Sequence, residues 1–166
     1  MSTAVLSIGS NVGDQLGYLR GCVVLLGNAV RAVSPVYSTA PWGGVAQDDF
    51  LNAVLLVEDR DADPEEWLRR AQCCEAAAQR TRHVRWGPRT LDVDVIEVGQ
   101  TRRDDPHLTL PHPLAHQRAF VLVPWLDLAP GAVLAGRGTV AELVAALPVA
   151  QRRSVRRRDD LTLGSP

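Results

Sequence analysis

Eight successive residues from Phe50 to Val57, FLNAVLLV, include one polar side chain, Asn52. A strand that is apolar on both parities has no side to turn toward water, so this run must lie at the centre of a sheet. The rest of the chain has to supply the strands and helices that cover it.

Other segments read as strands or helices from their periodicity. Ala4 to Ile8 is a first strand that leaves through Gly9-Ser10-Asn11. Leu16, Leu19, Val23 and Leu26 share a helical face that Gly27-Asn28 ends, with Asn11 or Asp14 near the cap. Val33 to Tyr37 is a second strand, with Pro35 marking an edge or a strand start. Asp63-Pro64-Glu65-Glu66 is a helix start with cap, proline and first-turn acids in order. Trp67, Ala71, Cys74 and Ala78 then line one face. Leu91 to Val98 is a further strand, and Leu108 to Leu110 a short one. The order predicts an α+β fold with a ferredoxin-like βαββαβ core, an antiparallel sheet with helices on one face. Ala119 to Leu128, kinked at Pro124, and Val140 to Leu147 add C-terminal helices. Residues 1–150 are expected to form a single domain, and 151–166 a polar, Arg-rich tail with partial disorder.

The charge pattern narrows the chemistry. All 18 basic residues are arginine, against 19 acids, for a net charge of −1. That balance disfavours a nucleic-acid binder, and the absence of lysine excludes a P-loop or Schiff-base lysine. Cys22, Cys73 and Cys74 form neither a metal-type pair nor an even framework, which suits reduced thiols. No secretory leader is legible, and no apolar run approaches the ~20 residues of a membrane span. A cytoplasmic, monomeric protein is expected.

The most informative stretch is RWGPRTLDVD, residues 85–94. On a strand, Leu91, Val93 and Val95 face one way and Asp92 and Asp94 the other. Carboxylates ~6.6 Å apart on a stiff strand can grip hard cations that take their remaining ligands from phosphates and water. A bare D-x-D is more often a pair of solvated acids. Here Arg80, Arg82, Arg85 and Arg89 precede it with no acid between them. Cations beside a di-acid suit a polyphosphate–metal site.

Together with LSIGSN near the start, DDFLNAV in the middle and LTLPHP…RAFVLVPW later, this run resembles the 6-hydroxymethyl-7,8-dihydropterin pyrophosphokinase (HPPK) family of folate biosynthesis, over about residues 4 to 130. The resemblance implies transfer of pyrophosphate from ATP to a pterin hydroxymethyl group, releasing AMP, with two Mg2+ ions. It assigns the metal to Asp92 and Asp94, and the transferring phosphates to Arg80 and Arg89, with Arg82 in the same loop. It gives His112 and Arg118 to the ATP phosphates, Thr109 and the Val95 backbone to the adenine, and Gln72 and Glu75 to the nucleotide side. Phe50 and Phe120 would sandwich the pterin, with Thr39, Trp42 and Asn52 at its edge and Trp86 closing over it. Residues after Ala135 carry no usable resemblance. From the residues alone, Phe50 and Phe120 also suit plain core packing, and a ferredoxin-like RNA-binding module or a metal-dependent phosphohydrolase remain alternatives.

Overall fold

The computed structural model describes residues 2–40, 48–78 and 90–164. The apolar run becomes strand β4 (Phe50–Asp59), which pairs along one edge with β1 (Ser2–Ser10). Along its other edge lie β2 (Val30–Val33) and β3 (Tyr37–Thr39), end to end. Strand β5 (Asp92–Val98) pairs with the free edge of β1, and all these pairings are antiparallel. The order β5-β1-β4-β2/β3 is that of the expected ferredoxin-like core.

Helices cover both faces, not one. On the first face α1 (Gln15–Leu26) and α2 (Pro64–Ala77) pack Leu19, Cys22, Trp67 and Cys74 against Leu6, Ile8, Ala53 and Leu55. On the second, α3 (Ala119–Leu128) and α4 (Val140–Ala146) pack Val121, Leu122, Trp125 and Val140 against Val5, Val54 and Ile96. The double cover follows from β4, whose alternate residues Leu55 and Val54 are both fully buried, on opposite faces. Between α3 and α4 a small hairpin joins β6 (Val133–Leu134) to β7 (Gly138–Thr139).

The cap of α2 is the one the sequence predicts, and of the two candidates for α1 the structure uses Asp14. Asp14 accepts from the Gly17 amide at the start of α1, and Asp63 from the Glu66 amide before Pro64 of α2. The expected strand Val33–Tyr37 is instead broken between β2 and β3. Pro35 has no N–H for a ladder, and Ser34 fills in: its hydroxyl accepts from the Val54 amide at 2.9 Å while its own amide donates to the Val54 carbonyl. Leu108–Leu110 yields only an isolated bridge between Leu110 and Arg103.

The Arg-rich C-terminus is built into the sheet. Helix α5 (Val149–Arg153) leads into β8 (Val155–Arg157), which pairs with the outer edge of β3. Arg157 reaches the α3 carboxylate Asp127 at 2.9 Å, and the same carboxylate accepts from the Tyr37 hydroxyl. Further on, Leu163 is buried in the first core, and the Thr162 carbonyl accepts from Arg20 of α1. The expected looseness fails because Val155 and Leu163 carry apolar surface to bury and the free edge of β3 needs a partner. Among the described residues no helix is long and apolar enough to cross a membrane.

Strand β5 holds one irregularity. Alternation would send Glu97 into the first core, but the register with β1 shifts between Val5 and Leu6, which face Glu97 and Val95. Ile96 is the extra residue of a bulge, so Ile96 and Glu97 both turn to the second face. Glu97 is 8% exposed there; its Oε1 has no hydrogen-bond partner among the described residues, and the Ala135 backbone is its compensating contact. Burial pushes its carboxyl up to about 7. A carboxyl raised in the fold protonates in the native state before the unfolded one, so its burial weakens the fold as pH rises from about 4.3 toward about 7. Urea titrations should therefore show the wild type losing about 2–3 kcal/mol relative to Glu97→Gln between pH 5 and pH 8. Parallel stability curves for the two proteins would contradict this account.

Candidate active site

The second face of the sheet is apolar only where α3 lies on it. Toward one end the same face carries Ser7 and Gly9 from β1, Thr39 from β3, Phe50 and Asn52 from β4, and Asp92 and Asp94 from β5. The register brings them abreast: Gly9 faces Asp92 on one side and Asn52 on the other, Ser7 faces Asp94, and Thr39 faces Phe50. The parity of β5 forces the carboxylates to this face, because Val93 and Val95 are committed to the first core. Helix α3 begins at the boundary between the polar and apolar halves.

Asn52 and Gly9 fit together closely. A Cβ on Gly9 would stand 2.5 Å from the Asn52 amide nitrogen, so only glycine lets that amide lie across β1. The sequence signal was an isolated glycine at a strand end, which often marks such an approach, but its partner was visible only through the register. Asn52 is 4% and Thr39 5% exposed, yet Asn52 Oδ1 and Thr39 Oγ1 have no hydrogen-bond partner among the described residues. A buried polar atom left unpaired costs roughly 1–3 kcal/mol, so both oxygens call for a polar partner. Phe50 is half-buried and belongs to neither apolar cluster, whereas Phe120 packs against the second cluster from the first turn of α3. Core packing therefore accounts for only one of the two rings.

Charge gathers around Asp92 and Asp94. The Arg118 guanidinium lies 3.7 Å from Asp94 and 5.4 Å from the centre of the Phe120 ring, so one cation touches both the acidic pair and an aromatic wall. His112 is half-buried, and its backbone amide donates to the Ile96 carbonyl at 2.7 Å. Its imidazole is held down to about 4 by burial first and by the Arg118 charge second, with Asp92 opposing. The ring is neutral at pH 7, and because its Nδ1 accepts from the Leu114 amide, Nε2 carries the proton and is a donor.

Glu75 is buried and does more than line a surface. Its Oε2 accepts from the Val93 amide at 3.1 Å, on the edge of β5 that β1 leaves unpaired, between the two aspartates. Gln72 is exposed on α2. Val95 points into the first core, and the Thr109 hydroxyl donates to the Asp105 carbonyl at 3.0 Å. Trp42, Arg80, Arg82, Trp86 and Arg89 lie outside the described residues. Thus Thr39, Phe50, Asn52, Asp92 and Asp94 share one polar surface, with Phe120, His112 and Arg118 at its border.

Residues 5–130 match the family described as 7,8-dihydro-6-hydroxymethylpterin-pyrophosphokinase. The chain belongs to the HPPK family. It is 52% identical to the 2-amino-4-hydroxy-6-hydroxymethyldihydropteridine pyrophosphokinase of Mycobacterium tuberculosis, over 94% of this chain and 89% of that one. With the enzyme of the same name from Mycobacterium leprae it shares 50% identity, over 94% and 88%. In shape it resembles the Plasmodium falciparum HPPK-DHPS chain, with a TM-score of 0.69 at 12% identity, over 94% of this chain and 46% of that longer one. The fold is thus that of HPPK domains, and the enzyme class is pyrophosphoryl transfer in folate biosynthesis.

The Glu75 contact can be checked directly. Glu75→Ala should leave the Val93 amide without its acceptor, costing about 1–3 kcal/mol. Amide hydrogen exchange should accelerate at Val93 well ahead of the β1–β4 ladder, and unchanged protection there would remove Glu75 from its positioning role.

Proposed function

We propose that this chain transfers pyrophosphate from ATP to the hydroxymethyl group of 6-hydroxymethyl-7,8-dihydropterin and releases AMP, with Asp92 and Asp94 as the ligands of two Mg2+ ions. The observation that carries the reading is the meeting, on one polar surface, of the Asp92 and Asp94 carboxylates with buried Asn52 Oδ1 and Thr39 Oγ1, which have no hydrogen-bond partner among the described residues.

The donor set suits magnesium. Asp92 and Asp94 offer hard oxygens on one face, and no group of three or more His, Cys, Asp or Glu suited to a metal occurs among the described residues. Such a site leaves most of an octahedron for water and phosphate oxygens, as magnesium prefers. When bound, the ions would neutralise the polyphosphate and orient it.

The chain's own residues do the rest. A flat heteroaromatic ring binds best between aromatic faces with a few polar groups at its rim. Phe50 and Phe120 supply the faces, and Thr39, Asn52 and Trp42 the rim. This fixes the hydroxymethyl oxygen for in-line attack on the β-phosphorus, its proton leaving to water or to the Asp94 carboxylate. Arg118 and the Nε2–H of neutral His112 hold phosphate oxygens, and Arg80 and Arg89 stabilise the charge that develops during transfer. Gln72, Glu75, Arg82, Thr109 and the Val95 backbone border the nucleotide, while Trp86 closes over the pterin and keeps out the water that would hydrolyse ATP. Positioning and electrostatics suffice, since phosphoryl-type transfer needs little covalent help. The protein acts as a monomer in the cytoplasm.

Product analysis tests the reaction: AMP should form only when the pterin is present, and pterin-independent release of AMP would favour the hydrolase reading. Asp94→Ala should lower kcat by roughly a thousandfold with little change in melting temperature; a fully active variant would refute the metal assignment. Phe120→Ala should raise the pterin KM by about tenfold or more while kcat changes less. Equal losses in both constants would place Phe120 outside ground-state binding.

A further inference from the structure

The β1–β4 ladder stops just short of Phe50. It ends with Ser10 facing Leu51, so Phe50 has its strand neighbour on the β3 side, where it faces Thr39. A strand end supported on one edge is prone to fray, and the ring it carries moves with it. Phe50 is half-buried and belongs to neither apolar cluster, so core packing does not hold the ring either.

The turn after β1 supplies the missing support with side chains. The Gln15 carboxamide nitrogen donates to the Ser10 carbonyl and to the Asp49 carbonyl, at 3.0 Å each, which uses both of its hydrogens. One group thereby joins the end of β1 to the residue before Phe50. Buried Asn11 adds a second tie, from its side-chain amide to the Asp48 carbonyl at 3.1 Å. The turn can serve as an anchor because it is itself fixed. Asp14 caps α1, Gln15 is the first residue of that helix, and Leu19 and Cys22 sit in the first core.

We propose that Gln15 is a positioning residue for pterin binding: by holding the Asp49 carbonyl to β1, it sets the backbone from which Phe50 presents its ring. The inference rests on the pyrophosphokinase reading. Aromatic stacking depends on the spacing and offset of the two rings, so the strand beneath Phe50 has to be held in place. A bond that orders the ring before the substrate arrives also removes an entropy cost from binding. Both Gln15 bonds end on backbone at the Phe50 end of the sheet, so the effect falls on ring capture and not on phosphate chemistry.

The test is steady-state kinetics on full-length Gln15→Glu, alone and combined with Phe50→Ala. Glutamate keeps the size of the side chain and suits the first turn of a helix, but its carboxylate has no hydrogen to donate. Gln15→Glu should raise the pterin KM about tenfold, keep kcat within about twofold, and leave the ATP KM and the melting temperature near those of the wild type. In the Phe50→Ala background the same substitution should change the pterin KM by less than about twofold, because the ring through which Gln15 acts is gone. Gln15→Ala should give the same pattern and replaces the glutamate variant if that one folds poorly. An unchanged pterin KM in a folded variant, or the full rise in the Phe50→Ala background, would overturn the role of Gln15. So would parallel losses in pterin KM, ATP KM and melting temperature, the mark of a merely structural bond. Failure of the wild type to form AMP from ATP and pterin would instead overturn the reading on which the proposal rests.

Discussion

The site depends on the parity of one strand. Val93 and Val95 are drawn into the core beneath α1 and α2, which leaves Asp92 and Asp94 no choice of face. Were the opposite face fully covered, two carboxylates there would have to be neutralised or expelled, since burying an unpaired charge is prohibitive. Helix α3 stops short of them, and the uncovered end of the sheet becomes the place where charge is tolerated. Glu75 then fixes the strand between the two acids through the Val93 amide. The apolar half of the face holds the polar half in position.

Two carboxyls on this side of the sheet, Glu97 buried and Asp94 partly exposed, show how environment divides chemically similar groups. Glu97 sits beyond the bulge among apolar residues with a backbone contact for company, and burial drives it toward the neutral form. Asp94, two residues before the bulge, meets the Arg118 guanidinium and the open end of the sheet. A single extra residue, Ile96, separates a position where charge is costly from one where it meets a countercharge. Burial first, and the Arg118 charge second, lower the affinity of His112 for a proton, keeping the imidazole a neutral donor beside the acids instead of a second cation.

The C-terminal segment changes the outline of the molecule. Strand β8 extends the sheet past β3, and the Tyr37–Asp127–Arg157 contacts tie β3, α3 and β8 together. That junction binds the C-terminal segment to the strand that carries Thr39.

Local order was legible in the sequence wherever a residue's role depends on its immediate neighbours. The cap at Asp63, the central strand from Phe50 and the parity of Asp92 and Asp94 all follow from spacing, because backbone geometry repeats every two or 3.6 residues. The resemblance supplied the family and its site residues. Tertiary structure alone decided what depends on partners distant in the chain: that Pro35 breaks one strand into two, that Glu75 serves the β5 edge, that Gly9 makes room for Asn52, and that an arginine-rich tail becomes an edge strand. The physical reason is that strand pairing and burial join residues a hundred positions apart, and no local period records who the partner will be.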